Sequence, residues 1–245
     1  MSYFDTIAAT YDAVRGEEIW PQLQATVAGA ARVGDRIVDV ATGTGLFSVR
    51  LAQAGYRVVG VDANPSMLRK ARDKARRAGA PFTPINGHAE RLPLASASAR
   101  LLLSTNAIHH FDLRQHFREV QRLLQPGGRC VIFTRFREQN DRSLWGQLFP
   151  GFARKESRLL HPTDFERMDT EFEYLTLESV DQLSFRKPFR RERLLRMAQE
   201  RKYSTFDLYG KSEFQRALAI FEKSLDSWRQ LDYVAEIGQV VFRRQ

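Results

Sequence analysis

The chain has 245 residues, 43% hydrophobic and 27% charged, the balance of a folded globular protein and not of a disordered or collagen-like one. It contains no run of about 18 apolar residues, so no membrane-spanning helix is expected. The net charge is +9, from 38 Lys and Arg against 29 Asp and Glu, which raises nucleic acid or another polyanion as a partner and specifies no chemistry.

The charge is uneven. Residues 1–135 carry 18 basic and 11 acidic side chains, and 66–129 alone carry 12 against 4. No tail or repeat holds the surplus. Met1-Ser2-Tyr3-Phe4-Asp5 lacks the basic and apolar regions of a secretory signal. A single cysteine, Cys130, excludes an internal disulfide and a cysteine-based zinc site. A cytoplasmic location and no metal site are expected.

In chain order, 36–42 reads as a short apolar strand, followed by the tight turn Gly43-Thr44-Gly45. Leu46, Phe47, Leu51 and Ala52 recur at helical spacing up to Gly55. A second strand, 57–62, is apolar without alternation, as when both faces are covered. Asn64 caps the next helix, Pro65 opens it and Gly79 ends it. Residues 82–86 and 100–106 read as the third and fourth strands. Leu113, Phe117, Val120 and Leu124 mark a helix face, and Pro126-Gly127-Gly128 turns into a strand over 129–134.

Strand and helix alternate to residue 135, which predicts parallel strands joined by right-handed crossovers in a doubly wound α/β sheet. Beyond it, strands at 173–185 and 234–243 flank helices at 189–200 and 211–230, read as an insertion or lid. The division is thus 1–135 and 136–245, within one continuous domain. The second part holds 17 of the 27 aromatic residues, either as its core or as the lining of a substrate pocket.

In such sheets ligands bind beyond the carboxyl ends of the strands, at the switch point. Asp39-x-x-x-Gly43-x-Gly45 ends the first strand, where glycines let backbone approach a ligand. Asp62 ends the second, with a carboxylate suited to the two hydroxyls of a ribose. Together they point to an adenine nucleoside cofactor. A nicotinamide dinucleotide calls for G-x-G-x-x-G, and the third glycine is here Ser48.

Val38-Asp-Val-Ala-Thr-Gly-Thr-Gly45, Val59-Gly-Val-Asp62-Ala-Asn-Pro-Ser-Met67-Leu, Asn86-Gly-His-Ala-Glu-Arg-Leu-Pro93, Asn106-Ala-Ile-His-His-Phe111 and Leu123-Leu-Gln-Pro-Gly-Gly128 occur in that order. With Phe4-Asp-x-Ile-Ala-x-x-Tyr11-Asp-x-x-Arg15 before them, they resemble the class I S-adenosylmethionine-dependent methyltransferases of the type 11, ubiquinone-methylase-like small-molecule group. The resemblance covers 4–135 and is architectural beyond. It implies a Rossmann-like, mostly parallel seven-stranded sheet with an α-helical lid, and S-adenosylmethionine as cofactor with S-adenosylhomocysteine as product.

Carried over by position, the resemblance implies that Ala41, Thr42, Gly43 and Gly45 hold the methionine part and Asp62 takes the ribose hydroxyls. Ala63 and Met67 would flank the adenine, and His88 and the backbone of Ala89 would meet its edge. Asn106 would contact the amino end, and Tyr11 and Arg15 would close over the carboxylate. Two of these positions depart from the family: Ala41 stands where glycine is usual, and His88 where aspartate is usual. The acidic-aromatic phrase before the fourth strand is replaced by Ala97-Ser98-Ala99-Arg100.

Methyl transfer is expected as an in-line displacement to an O, N or C nucleophile of a small molecule, with catalysis mainly by alignment. His110 and His109 are the candidate bases, with His161 less favourably placed. Three signatures of nucleic-acid methylation are missing. Cys130 falls inside a strand, Asn106-Ala-Ile-His replaces an Asn/Asp-Pro-Pro-aromatic motif, and the first lysine is Lys70, too late for a Lys-Asp-Lys-Glu set. A tRNA or rRNA methyltransferase, a non-catalytic nucleoside-binding scaffold and a nicotinamide-dependent oxidoreductase remain as alternatives. A monomer or homodimer is expected.

Overall fold

The sheet is organised around β1 (Arg36–Val40), four of whose five residues are buried. In the computed structural model, which describes Asp12 and residues 17–245, β1 pairs in parallel with β2 (Arg57–Asp62) on one side and β4 (Ala99–Thr105) on the other. β2 pairs in parallel with β3 (Phe82–Asn86), and β4 with β5 (Leu124–Thr134). With β6 (Leu175–Pro188) and β7 (Asp232–Arg244), the order is β3-β2-β1-β4-β5-β7-β6. The expected mostly parallel seven-stranded Rossmann-like sheet is present.

The chain winds outward from β1 to β3 and then restarts at β4 in the opposite direction. The switch point therefore lies between β1 and β4. Right-handed crossovers put α2 (Leu46–Gln53) and α3 (Pro65–Ala78) on one face and α4 (Leu113–Leu123) on the other. Ile37, Val38, Leu101, Leu103, Val131, Ile132 and Phe133 are fully buried between these layers.

Asn64 caps α3 with its side chain, accepting from the N–H groups of Ser66 and Met67, and Gly79 ends the helix at φ 59°. The apolar stripe expected on this helix, Met67, Leu68, Ala71 and Ala75, is its buried face.

Several expected boundaries shift. The first strand stops at Val40, not Thr42, because Ala41 turns out of it at φ 58°. The fourth stops at Thr105, because Asn106 adopts φ 53°. The fifth begins at Leu124, not 129. Ala99 pairs with Leu124 and Leu101 with Arg129, so Pro126-Gly127-Gly128 forms an irregularity inside the ladder. A side chain at Gly128 would meet the Arg100 and Gln125 carbonyls at 2.9 Å. The late elements run 175–188, 191–199, 211–226 and 232–244, against expectations of 173–185, 189–200, 211–230 and 234–243.

Helix α1 (Trp20–Ala30) was not legible as an element, although Leu23, Val27 and Ala30 are buried at helical spacing. Nor were α5 (Arg137–Asp141), α6 (Leu144–Leu148), α7 (Phe152–Lys155) and α8 (Pro162–Glu171). The first three have at most five residues, too short for periodicity to show.

Two compact units divide the chain. One comprises the described residues to Thr134 with 162–181 and 239–245; the other comprises 135–161 and 182–238. The second includes α9 (Arg191–Gln199) and α10 (Lys211–Asp226), which lie between β6 and β7 in sequence as expected. Its aromatic residues build its own core: Trp145 packs against Phe221 at 5.1 Å between ring centroids, and Phe149 and Phe152 against Phe206 at 4.9 and 5.2 Å. These four phenylalanines are at most 1% exposed. Among the described residues, no helix is long and apolar enough to cross a membrane.

Candidate functional site

A cavity of about 410 Å³ opens at the carboxyl ends of the parallel strands, within the size range of small-molecule sites. Its walls come from the segments after β1 (Ala41, Gly43), β2 (Asp62 to Pro65, and Met67), β3 (Gly87 to Glu90) and β4 (Thr105 to Ala107, His110, Phe111). These are the segments that the switch-point rule designates.

The loop after β1 is held from beneath. Asp39 is 4% exposed and accepts hydrogen bonds from Thr42 Oγ1 at 2.8 Å and from the Ser48 hydroxyl. Burial pushes the Asp39 carboxyl up to about 6, against the lowering effect of the Ser48 and Thr42 bonds, and the neighbouring Asp62 charge adds to the rise. Gly43 and Gly45 sit at φ 57° and 70°, and a side chain at Gly45 would press on Ala71 at 3.1 Å. A side chain there would crowd α3 and strain the left-handed backbone. Ala41 takes the same left-handed conformation with a methyl group, a strained choice for a non-glycine residue.

Asp62 holds the loop from the side. One carboxylate oxygen accepts from Gly43 N–H and the other from Asn64 N–H, each at 2.8 Å. Burial raises its pKa above the ordinary carboxylate value, partly offset by these bonds. An ionised carboxylate has about four acceptor sites, so two remain for a ligand.

Of the other residues expected at the site, Ala63, Met67, His88, Ala89 and Asn106 line the cavity with Ala41, Gly43 and Asp62. Met67 is 2% exposed, serving the α3 core as well as the wall. Thr42 and Gly45 are not among the lining residues; they brace the loop through Asp39 and Ala71. Tyr11 and Arg15 lie outside the described residues. His110 lines the cavity and is exposed, whereas His109 does not line it; their rings are 4.2 Å apart. His161 lies in the other unit, beside Glu138.

Sequence reasoning missed Thr105, Phe111, Glu90 and Gly87 as lining residues. Thr105 Oγ1 is buried and has no hydrogen-bond partner among the described residues, so a polar acceptor or donor in the cavity would satisfy it. The end of β4 was the available signal for Thr105, since the carboxyl end of a strand at the switch point borders the crevice.

Residues 38–132 match the family model described as a methyltransferase domain. The demethylmenaquinone methyltransferase of Chlorobaculum parvum is 34% identical over 143 residues, 53% of this chain and 56% of that protein. The 27-O-demethylrifamycin SV methyltransferase of Amycolatopsis mediterranei is 30% identical over 136 residues, 53% and 48% of the two chains. The chain thus spans about half the length of the curated relatives it matches. The geranyl diphosphate C-methyltransferase of Streptomyces coelicolor aligns with a TM-score of 0.60 and 17% identity over 92% of this chain and 76% of that one, a likeness of fold. The resemblance read from the sequence agrees with this match: residues 38–132 carry a methyltransferase domain.

Proposed function

We propose that this protein is an S-adenosylmethionine-dependent methyltransferase acting on a small molecule. The observation that carries the reading is the meeting of Ala41, Gly43, Asp62, Ala89 and Asn106 around one cavity at the switch point. When bound, the cofactor supplies a methyl group on a sulfonium, whose thioether leaves without protonation.

The residues present fit that cofactor. Asp62 keeps two acceptor sites for ribose hydroxyls while its Gly43 and Asn64 bonds hold it in place. Ala63 and Met67 offer apolar surface to an adenine, and the Ala89 backbone and one ring nitrogen of His88 meet its edge. Ala41, Gly43 and Asn106 bound the methionine end, with Thr42 and Gly45 supporting the loop. His110, which lines the cavity, would take a proton from a hydroxyl or acidic carbon nucleophile, with the His109 ring 4.2 Å from it.

A small acceptor is supported by the substrates that name the two relatives, demethylmenaquinone and demethylrifamycin. An RNA acceptor has the exposed arginines of α3, Arg69, Arg72, Arg76 and Arg77, in its favour. The buried thiol of Cys130 is compatible with a reducing, cytoplasmic setting.

The test is thermal unfolding with S-adenosylhomocysteine, S-adenosylmethionine and NAD. At about 100 times its Kd a ligand adds about 2.7 kcal/mol. Stabilisation by both sulfur compounds and not by NAD is expected; none from either overturns the reading.

A further inference from the structure

The cavity wall formed by Gly87 to Glu90 belongs to a loop whose own pairing is a single bridge between His88 and Arg91, and its backbone is held by one face of α4. His116, Glu119 and Arg122 lie three residues apart on that helix. His116 Nδ1 meets the Ala89 carbonyl at 3.1 Å. Glu119 accepts from Leu92 N–H at 2.6 Å, and Arg122 donates to the carbonyls of Leu92 and Leu94 at 2.9 and 2.7 Å. Glu119 and Arg122 pair with each other at 2.7 Å, which fixes both clamps.

Within this set His116 touches the cavity lining directly, and on two sides. Ala89 lines the cavity, and so does Phe111, whose ring centroid is 4.8 Å from the imidazole. His116 is 1% exposed. A carbonyl only accepts, so the Nδ1 atom carries the proton and a neutral ring leaves Nε2 bare. Nε2 is buried with no partner among the described residues. Glu90 and Glu119 are the carboxylates near the ring, and burial outweighs them, holding its pKa below the ordinary histidine value. The imidazole is therefore a neutral strut with one hydrogen bond to the β3 loop and one ring contact to the β4 segment.

We propose that His116 is a positioning residue for adenine recognition: from behind the cavity wall it sets the Ala89 backbone that faces the adenine edge and the Phe111 ring beside it. It acts through these two residues, and the inference rests on the cofactor reading above.

The test compares binding of S-adenosylhomocysteine and S-inosylhomocysteine, which differ at the purine edge, by calorimetry. His116→Phe keeps a ring and loses the donor; His116→Asn restores a donor near the Nδ1 position. The wild-type protein is expected to prefer the adenosyl compound by about tenfold. His116→Phe should erase most of that preference, and His116→Asn should retain it, with thermal unfolding showing both variants folded. Loss of preference in neither variant, or equal weakening of both ligands, overturns the proposal, because a merely structural role leaves the ratio unchanged. A second readout needs no variant: nitrogen chemical shifts of the wild-type protein at neutral pH must show His116 as the Nδ1–H tautomer, and the Nε2–H tautomer overturns it. Failure of the wild-type protein to bind either compound overturns the cofactor reading itself and this inference with it.

Discussion

Asp62 accepts a hydrogen bond from the backbone N–H of Gly43 at 2.8 Å, so the tip of β2 holds the loop that follows β1. One carboxylate both shapes the loop and faces the cavity. Asp62→Ala removes the ligand acceptor and leaves the Gly43 and Asn64 N–H groups without it. S-adenosylhomocysteine affinity should fall on the order of 30-fold or more, as for the loss of charge-assisted hydrogen bonds. Calorimetry checks this, and a Kd within threefold of wild type would remove Asp62 from ligand binding.

Ala41 holds φ 58° with a methyl group. Left-handed backbone costs a non-glycine residue about 1–2 kcal/mol, offset in part by the about 0.4–1 kcal/mol that glycine adds to unfolded-chain freedom. Ala41→Gly should raise stability by about 0.5–1 kcal/mol and Tm by about 2 °C. It should also tighten cofactor binding by widening the methionine end. A lower Tm would mean that the methyl group's contacts outweigh the strain.

Asp39 gives a pH dependence of definite sign. Its carboxyl is raised by burial from an ordinary 3.8 to about 6, so the folded protein binds this proton more tightly than the unfolded chain. Its contribution is fully present below pH ~4, is lost as pH rises to about 6 and levels off above, on the order of 3 kcal/mol in all. Urea unfolding of wild type and Asp39→Asn across this range should show the difference narrowing toward low pH. Parallel profiles would refute the assignment.

His110 and not His109 lines the cavity. His110→Gln should lower turnover by about 100-fold and leave S-adenosylhomocysteine affinity within twofold, as expected of a proton acceptor that does not hold the cofactor. Undiminished turnover would show that the acceptor needs no base from this position.

The charge surplus now has a structural account. Arg122 and Arg129 pair with Glu119 and Glu178, while Arg69, Arg72, Arg76 and Arg77 are exposed on α3. Because the winding reverses between β1 and β4, α3 and α4 cover opposite faces and their arginines cannot line one groove.

The amino-acid sequence by itself determined the element order over residues 36–135 closely. Unbroken apolar strands, the Asn64-Pro65 start and the Gly79 stop are local signals, and local backbone physics honoured them. It also brought Asp62 and the Gly43 loop to one cavity, because strand ends in a parallel sheet share an edge. Only the tertiary structure decided that Thr42 and Gly45 brace the loop, that Thr105 and Phe111 face the cavity, and that His116 reaches Ala89 across 27 residues of chain. Those roles depend on which side chains meet once the elements pack, and no periodicity along the chain records a contact made across it.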